Sequence, residues 1–421
     1  MRKVNFLVAA CAMVLGVSPA SAFMPFAARS SSAIKMSAST GEKSSRSENM
    51  LPDSSVSRRD LVKTTSVAAA ALSAAGALGG STQPAAAASN FAWEQVTGIP
   101  MGATLYDVDF DSKDPEHGWI VGSKGTFLET TDGGRSWVPR SFVDLDPDEE
   151  VTYRFERVSF NNGEGWIIGK PPILLHTQDS GKSWERIPLS PKLPGEPSTV
   201  FATGPNSAEM TTSTGAIYKT TNAGRNWKAQ VKETIDATLN RISSSGVKGA
   251  SYFTGSIISV VRDQLSGAYL AVSSRGNFFL TWLPGQDFWV PHNRGTSRRI
   301  QNMGFVKGDT SKGVWMSLNG GLLQICEPNQ DLSSDEEFKF ADSKIRSGGY
   351  GILDVSWKDE QEVWAVGGGG SMFVSKDGGK TFTFNKSADE IPGNLYKVKF
   401  FGDKGFVLGS EGVLLRYKGI A

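Results

Sequence analysis

Side chains that commonly carry chemistry are sparse in this 421-residue chain: three histidines, His117, His176 and His292, and two cysteines, Cys11 and Cys326. No two histidines stand at a metal-ligand spacing, so a transition-metal site has little support, and no metal or cofactor is expected. Cys11 falls in an N-terminal apolar run, which leaves Cys326 alone and excludes an intrachain disulfide in the processed chain. The sequence has no strand-turn-helix serine nucleophile, phosphate-cradling loop or dinucleotide fingerprint. The run Gly367 to Gly370 reads as a turn at a strand end. No catalytic residue is therefore expected.

Charge is more informative. Residues 241–300 hold Arg241, Lys248, Arg262, Arg275, Arg294, Arg298 and Arg299 against only Asp263 and Asp287, a net +5. Arginine suits bidentate recognition of carboxylates and stacking on aromatic rings, and it is favoured in interface cores. This stretch predicts a cationic docking face; the plainer reading is a scatter of solvated surface arginines. Arg298 and Arg299, if they lie in a strand, point to opposite faces. The first 89 residues contain nine Lys/Arg and four Asp/Glu, so 35 basic and 39 acidic side chains remain beyond them. A net charge of about −4 excludes a generally nucleic-acid-seeking surface.

The elements that position these residues are repeats. Gly118-Trp-Ile-Val-Gly122 returns as Gly165-Trp-Ile-Ile-Gly169, and more loosely as Val363-Trp-Ala-Val-Gly367 and Gly405-Phe-Val-Leu-Gly409. A second motif has fixed internal spacing: Thr130-x-Asp132-x-Gly134-x-x-Trp137, then Thr177/Asp179/Gly181/Trp184, Thr220/Asn222/Gly224/Trp227 and Ser375/Asp377/Gly379/Phe382. Here the carboxyl or amide accepts N–H bonds across a hairpin turn, glycine supplies φ > 0, and the aromatic fills space between sheets. The motif resembles the Asp-box of sialidases and related propellers, in which it is structural. In this alignment His117 matches Glu164, and His176 matches Glu129 and Lys219, so both are expected at variable surface positions.

A unit of about 40–47 residues with three strands, an Asp-box and a fourth strand is one propeller blade. Seven units begin near Leu105, Arg154, Thr199, Ser256, Ile300, Ile352 and Leu395, which predicts an all-β, seven-bladed β-propeller over residues 90–421. The seventh stops at Tyr417 after three strands. Trp93-Glu-Gln-Val96 is similar to Trp184-Glu-Arg-Ile187, a fourth strand, so the N-terminal strand is expected to close the last blade. Blades four and five depart from the pattern, since Thr281, Gly285 and Trp289 only echo the box and none follows Asn319-Gly-Gly321. Residues Lys228 to Gly255 read as an inserted loop.

Ahead of the propeller stand three addresses in series. Residues 1–22 form a signal-peptide pattern. Residues 23–56, opening on Phe23, resemble the transit segment of complex algal plastids. Residues 57–89 carry Ser57-Arg-Arg-Asp-Leu-Val-Lys63, an Ala-rich run and Ala86-Ala-Ala88, resembling a twin-arginine signal. The expected destination is the plastid thylakoid lumen.

Within the cationic stretch, Ala271 to Trp282, Pro291 to Arg294 and Arg298 to Gly304 closely resemble the photosystem II stability/assembly factor family of plastids and cyanobacteria. Asn394 to Phe400 and Gly405 to Tyr417 are similar to it too. That resemblance implies a lumenal, non-enzymatic propeller, peripheral to the thylakoid membrane and acting as a monomer. Its implied partners are the newly made psbA product, its precursor and early reaction-centre complexes. It also implies that Arg275, Arg294, Arg298 and Arg299, with Arg262 added, form the partner-binding patch. The rival is a sialidase-like glycoside hydrolase, for which Arg186-Ile-Pro188 is suggestive. That motif follows an Asp-box, however, which places Arg186 on an outer strand away from the ring's mouth, and no carboxylate pair on inner strands announces a site. A sortilin-like receptor would need a retained membrane span, for which there is no candidate.

Overall fold

The computed structural model describes the backbone of 34–38 and residues 91–419, apart from 143, 144, 146–150, 233, 236–255, 275 and 335. The presequence boundaries, Arg241 and Lys248, and most of the expected insertion lie outside the described residues. Among those described, no helix is long and apolar enough to cross a membrane.

Seven four-stranded antiparallel sheets stand side by side as a seven-bladed β-propeller. Their innermost strands are Leu105–Phe110, Arg154–Asn161, Pro197–Gly204, Ile257–Arg262, Ile300–Phe305, Ile352–Trp357 and Leu395–Phe401. Each touches the next, and the last returns to the first, so the ring is closed. The second strands, such as Gly118–Gly122 and Val363–Gly367, are buried along their whole length. That burial on both faces is why they read as continuous apolar runs rather than alternating ones. The face on which the innermost strands begin is called the upper face here; the Asp-box turns lie on the lower one.

Trp93–Gln95 pairs antiparallel with Leu414–Tyr417 in the register Trp93↔Tyr417, Glu94↔Arg416, Gln95↔Leu415. The N-terminal strand thus completes blade seven, as the missing outer strand requires. Trp93 is 2% exposed, with ring centroids 5.2 Å from Trp364 and 5.1 Å from Tyr417. Residues Lys228–Ala229, expected to open the insertion, are instead the outer strand of blade three. Ile34–Ala38 adds an antiparallel strand between the outer strands of blades one and two, pairing with Val138–Phe142 on one side and Ser183–Arg186 on the other.

The boxes act as the hairpin chemistry predicts. In blade one the Asp132 carboxylate accepts from the Thr130 hydroxyl (2.8 Å), the Ser136 N–H (3.0 Å) and the Ser136 hydroxyl (2.6 Å), while the Gly134 N–H donates to Thr130 Oγ1 (2.9 Å). Asp179, Asn222 and Asp377 repeat the arrangement. Gly134 has φ +84°, and a Cβ there would sit 2.3 Å from the Phe406 ring of blade seven. Glycine is therefore needed both for the turn and for the neighbour that passes it. The box aromatics join successive blades: Trp137 packs on Phe406, Trp184 on Trp119 and Trp227 on Trp166, while Phe382 lies in one cluster with Trp315.

Around the channel the inner strands are stitched by polar groups. Asp107 accepts from the Val158 N–H, Ser159 from Ala202, Asp354 from Val398, and Asn302 donates to the Leu353 carbonyl. Lys399 bonds the Val108 carbonyl and Asp109 across the closing joint (both 2.9 Å). Burial pushes the Asp109 carboxyl up against the pull of Lys399, and Asp354 likewise against Lys397.

The expectation of surface histidines is overturned. His176 is 2% exposed and bonded to Glu164 (2.6 Å), and His117 is half-buried and bonded to Glu129 (2.7 Å). The second and third strands of each blade run antiparallel, with Glu129 opposite Trp119 and His176 opposite Trp166, which leaves these two repeat positions as diagonal neighbours within bonding reach. His292 is also a core residue, stacked on Phe279 and bonded to the Thr281 hydroxyl (2.7 Å). Cys326 is buried, and burial raises its thiol to about 11.

Candidate functional site: an arginine loop on the upper face

The connection from blade four to blade five, residues 294–299, leaves the outer strand Val290–Asn293 and returns to the inner strand Ile300–Phe305 on the upper face. It carries three of the predicted arginines. Arg298 and Arg299 lie in this loop rather than in a strand, and both are exposed. They are therefore not forced to opposite faces, contrary to what a strand placement would require. The Arg298 guanidinium donates to the Asn319 carbonyl of blade five at 3.1 Å, which fixes one edge and leaves the rest toward solvent.

Arg294 has a different task. Its Nε donates to the Thr296 carbonyl (2.6 Å), Nη1 to the Gly276 carbonyl (3.1 Å) and Asn277 Oδ1 (2.8 Å), and Nη2 to the Ser297 carbonyl (3.1 Å). The guanidinium fork staples the 294–299 loop to the turn at Gly276, using its fixed donor geometry on the protein itself. Arg275, which precedes Gly276 in the sequence, lies outside the described residues.

Arg262 does not join them. It closes the inner strand of blade four at the lower end, where its Nε donates to Glu209 Oε2 at 2.8 Å and its guanidinium lies 5.8 Å from the Tyr269 ring centroid. The Tyr269 hydroxyl donates to the same carboxylate (2.9 Å), and burial followed by Glu209 raises that phenol well above its usual value. Arg262 is a buried structural ion pair, taken up by an acid 53 residues away in the neighbouring blade.

Two groups near the loop carried no sequence signal. Arg346, in the upper connection from blade five to blade six, is exposed and adds a cation one blade further on. Glu337 stands beside Gly295, with Oε1 3.1 Å from where a Cβ would be, and supplies one opposing charge. Arg186 is on the outer strand of blade two, as expected, and donates to the Leu145 carbonyl (3.3 Å). The inner-strand carboxylates Asp107, Asp109 and Asp354 are engaged by strand N–H groups and lysine. Among the described residues no cluster of three His, Cys, Asp or Glu side chains is placed to hold a metal ion. Chemically, the arginine loop offers preoriented donors for carboxylate oxygens on a rigid frame.

The family model described as photosynthesis system II assembly factor YCF48 matches residues 85–418. The chain is 59% identical over 332 residues to a chloroplastic photosystem II stability/assembly factor, HCF136, of Guillardia theta, covering 79% of this chain and 84% of that protein. Among solved structures, YCF48 from Cyanidioschyzon merolae is 56% identical with a TM-score of 0.72, over 77% of this chain and 98% of that one. A second, YCF48 bound to D1 peptide, is 43% identical with a TM-score of 0.66, over 77% and 94%. With the Asp-box ring, the arginine loop and these matches along the whole propeller, the chain belongs to the photosystem II assembly factor family typified by YCF48.

Proposed function

We propose that this protein is a non-enzymatic photosystem II assembly factor of the plastid thylakoid lumen. It binds the newly made psbA product, and early reaction-centre complexes containing it, as a monomer peripheral to the membrane. The observation that carries the reading is the pair of exposed, loop-borne arginines Arg298 and Arg299 on a propeller whose relative was solved with a D1 peptide bound. Arg275 is next in sequence to Gly276, whose carbonyl Arg294 bonds, and Arg346 extends the charge. Acidic side chains or a C-terminal carboxylate of the partner dock on this face through charge-assisted, partly bidentate hydrogen bonds. Arg294 holds the loop in shape and is not counted among the docking cations.

The test is binding of a labelled D1 peptide to the Arg298→Glu/Arg299→Glu double variant. Affinity is expected to fall at least tenfold, about 1.4 kcal/mol. Wild-type binding should weaken with salt as the Debye length shortens from about 10 Å at 0.1 M. Lys182→Glu/Lys380→Glu, on exposed Asp-box turns of the lower face, is the matched control. Equal binding by both double variants refutes docking on the arginine loop.

A further inference from the structure

Beyond the arginines, the upper face carries a pair of exposed aromatic side chains. Tyr350 and Tyr396 are 56% and 38% exposed, two of the few large apolar side chains left in water among the described residues. Tyr350 is in the connection from blade five to blade six. Tyr396 is the extra residue of a β-bulge at the upper end of the inner strand of blade seven, between the pairs Leu395↔Gly409 and Lys397↔Leu408. The same one-residue bulge opens the inner strand of all seven blades, and in blade seven it carries this tyrosine.

The two rings belong to one continuous surface. The Asn394 amide donates to the Tyr396 hydroxyl (3.3 Å) and accepts from the Gly369 N–H (3.1 Å). The Tyr350 ring lies over Gly369, where a Cβ would meet it at 3.0 Å. Toward the other side, a Cβ on Gly321 would strike the Tyr350 carbonyl at 2.2 Å, and one on Gly320 would strike the Arg298 guanidinium at 2.4 Å. These glycines let Arg298, the turn at Ser347–Tyr350 and the Tyr350 ring pack down directly on the backbone, so one close-packed surface runs from Arg298 to the tyrosines, with Arg346 in the same connection as Tyr350.

We infer that Tyr350 and Tyr396 form an apolar subsite that receives an aliphatic or aromatic side chain of the same acidic segment whose carboxylates the arginines hold. Charge selects the occupant: the cations beside the pair favour an acidic peptide. Tyrosine suits the task because it offers a large contact area at low conformational cost and a hydroxyl that stays wet. This inference rests on the docking reading proposed above, and adds to it a specificity determinant for residues near the docked carboxylate.

The experiment measures binding of the labelled D1 peptide to Tyr350→Ala, Tyr396→Ala and Tyr350→Phe, each across a salt series and with melting curves to confirm the fold. Each alanine variant is expected to bind about tenfold more weakly while keeping the wild-type salt slope, and Tyr350→Phe to bind within twofold of wild type. Arg298→Glu/Arg299→Glu should instead flatten the slope. If the arginine variant fails to bind while the alanine variants match wild type, the subsite is overturned and the docking reading stands. If all variants match wild type, both are overturned. A tyrosine variant that flattens the salt slope also overturns the subsite, because it would place the loss in the charged contacts.

Discussion

Replacing Trp93 with alanine should open the ring at its seam. Trp93 is 2% exposed and lies edge-on to Trp364 and Tyr417, with Phe400 at 5.7 Å. Removing a buried tryptophan costs about 3–5 kcal/mol, through lost transfer energy and the cavity left behind. With a urea dependence of about 3 kcal/mol per molar, the unfolding midpoint should fall by roughly 1–1.7 M. Phe91→Ala is the control, because Phe91 is 48% exposed and its loss should change stability by no more than about 0.5 kcal/mol. A chain beginning at residue 98 should show a similar loss, partly reversed by adding the peptide 90–97 in trans. A Trp93→Ala midpoint within the error of the wild type would refute the closure as a source of stability.

Acid should weaken the box turns. Although partial burial acts to raise it, the Asp132 carboxyl is lowered from 3.8 to about 2 by bonds from Ser136, Thr130 and Arg135, and Asp179 and Asp377 shift the same way. A depressed carboxyl stabilises the fold above its unfolded pKa and loses that contribution as pH falls through the folded one. Melting temperature should therefore drop between about pH 4 and pH 2. Asp132→Asn, which copies the natural Asn222, should keep the turn and flatten part of that acid limb; an unchanged limb would assign it elsewhere. For processing, the accumulated protein should begin near Ser89 by intact mass, and retention of residues 30–60 would refute a lumenal end point. A chain starting at residue 90 should also exchange backbone hydrogens of Val138–Phe142 and Ser183–Arg186 faster than one retaining Ile34–Ala38; equal rates would mean that strand gives no cover.

The blades were legible because their signals are local. An Asp-box spans eight residues and its bonds close within the turn, so spacing alone reports it, and the absent fourth strand of blade seven pointed to Trp93. Long-range partners were harder. Arg262 counts as a free cation until Glu209 is brought beside it by the packing of adjacent blades, and Arg294 counts as one until its loop wraps around it. The histidines did carry a readable sign: blade one has His117 and Glu129 where blade two has Glu164 and His176, the same two positions with identities exchanged. An exchange of that kind marks a paired site rather than variable surface. Arg346 and Tyr350 stand in a connection, which the repeat leaves unspecified, and Tyr396 stands at a bulge that recurs in all seven blades and so marks no single one of them.

The hybrid seventh blade ties the ring to the order in which the chain is made. Its outer strand is the first piece of the propeller to be synthesised, and its other three strands, ending at Tyr417, are the last. No partial product can close, however well its early blades have formed. A chain cut short before Leu414 leaves Trp93–Gln95 without a partner strand and an open sheet edge at each side of the gap. The seam therefore distinguishes finished from unfinished molecules, and a protease or export machine that responds to exposed edges would reject the second kind before it could meet a client.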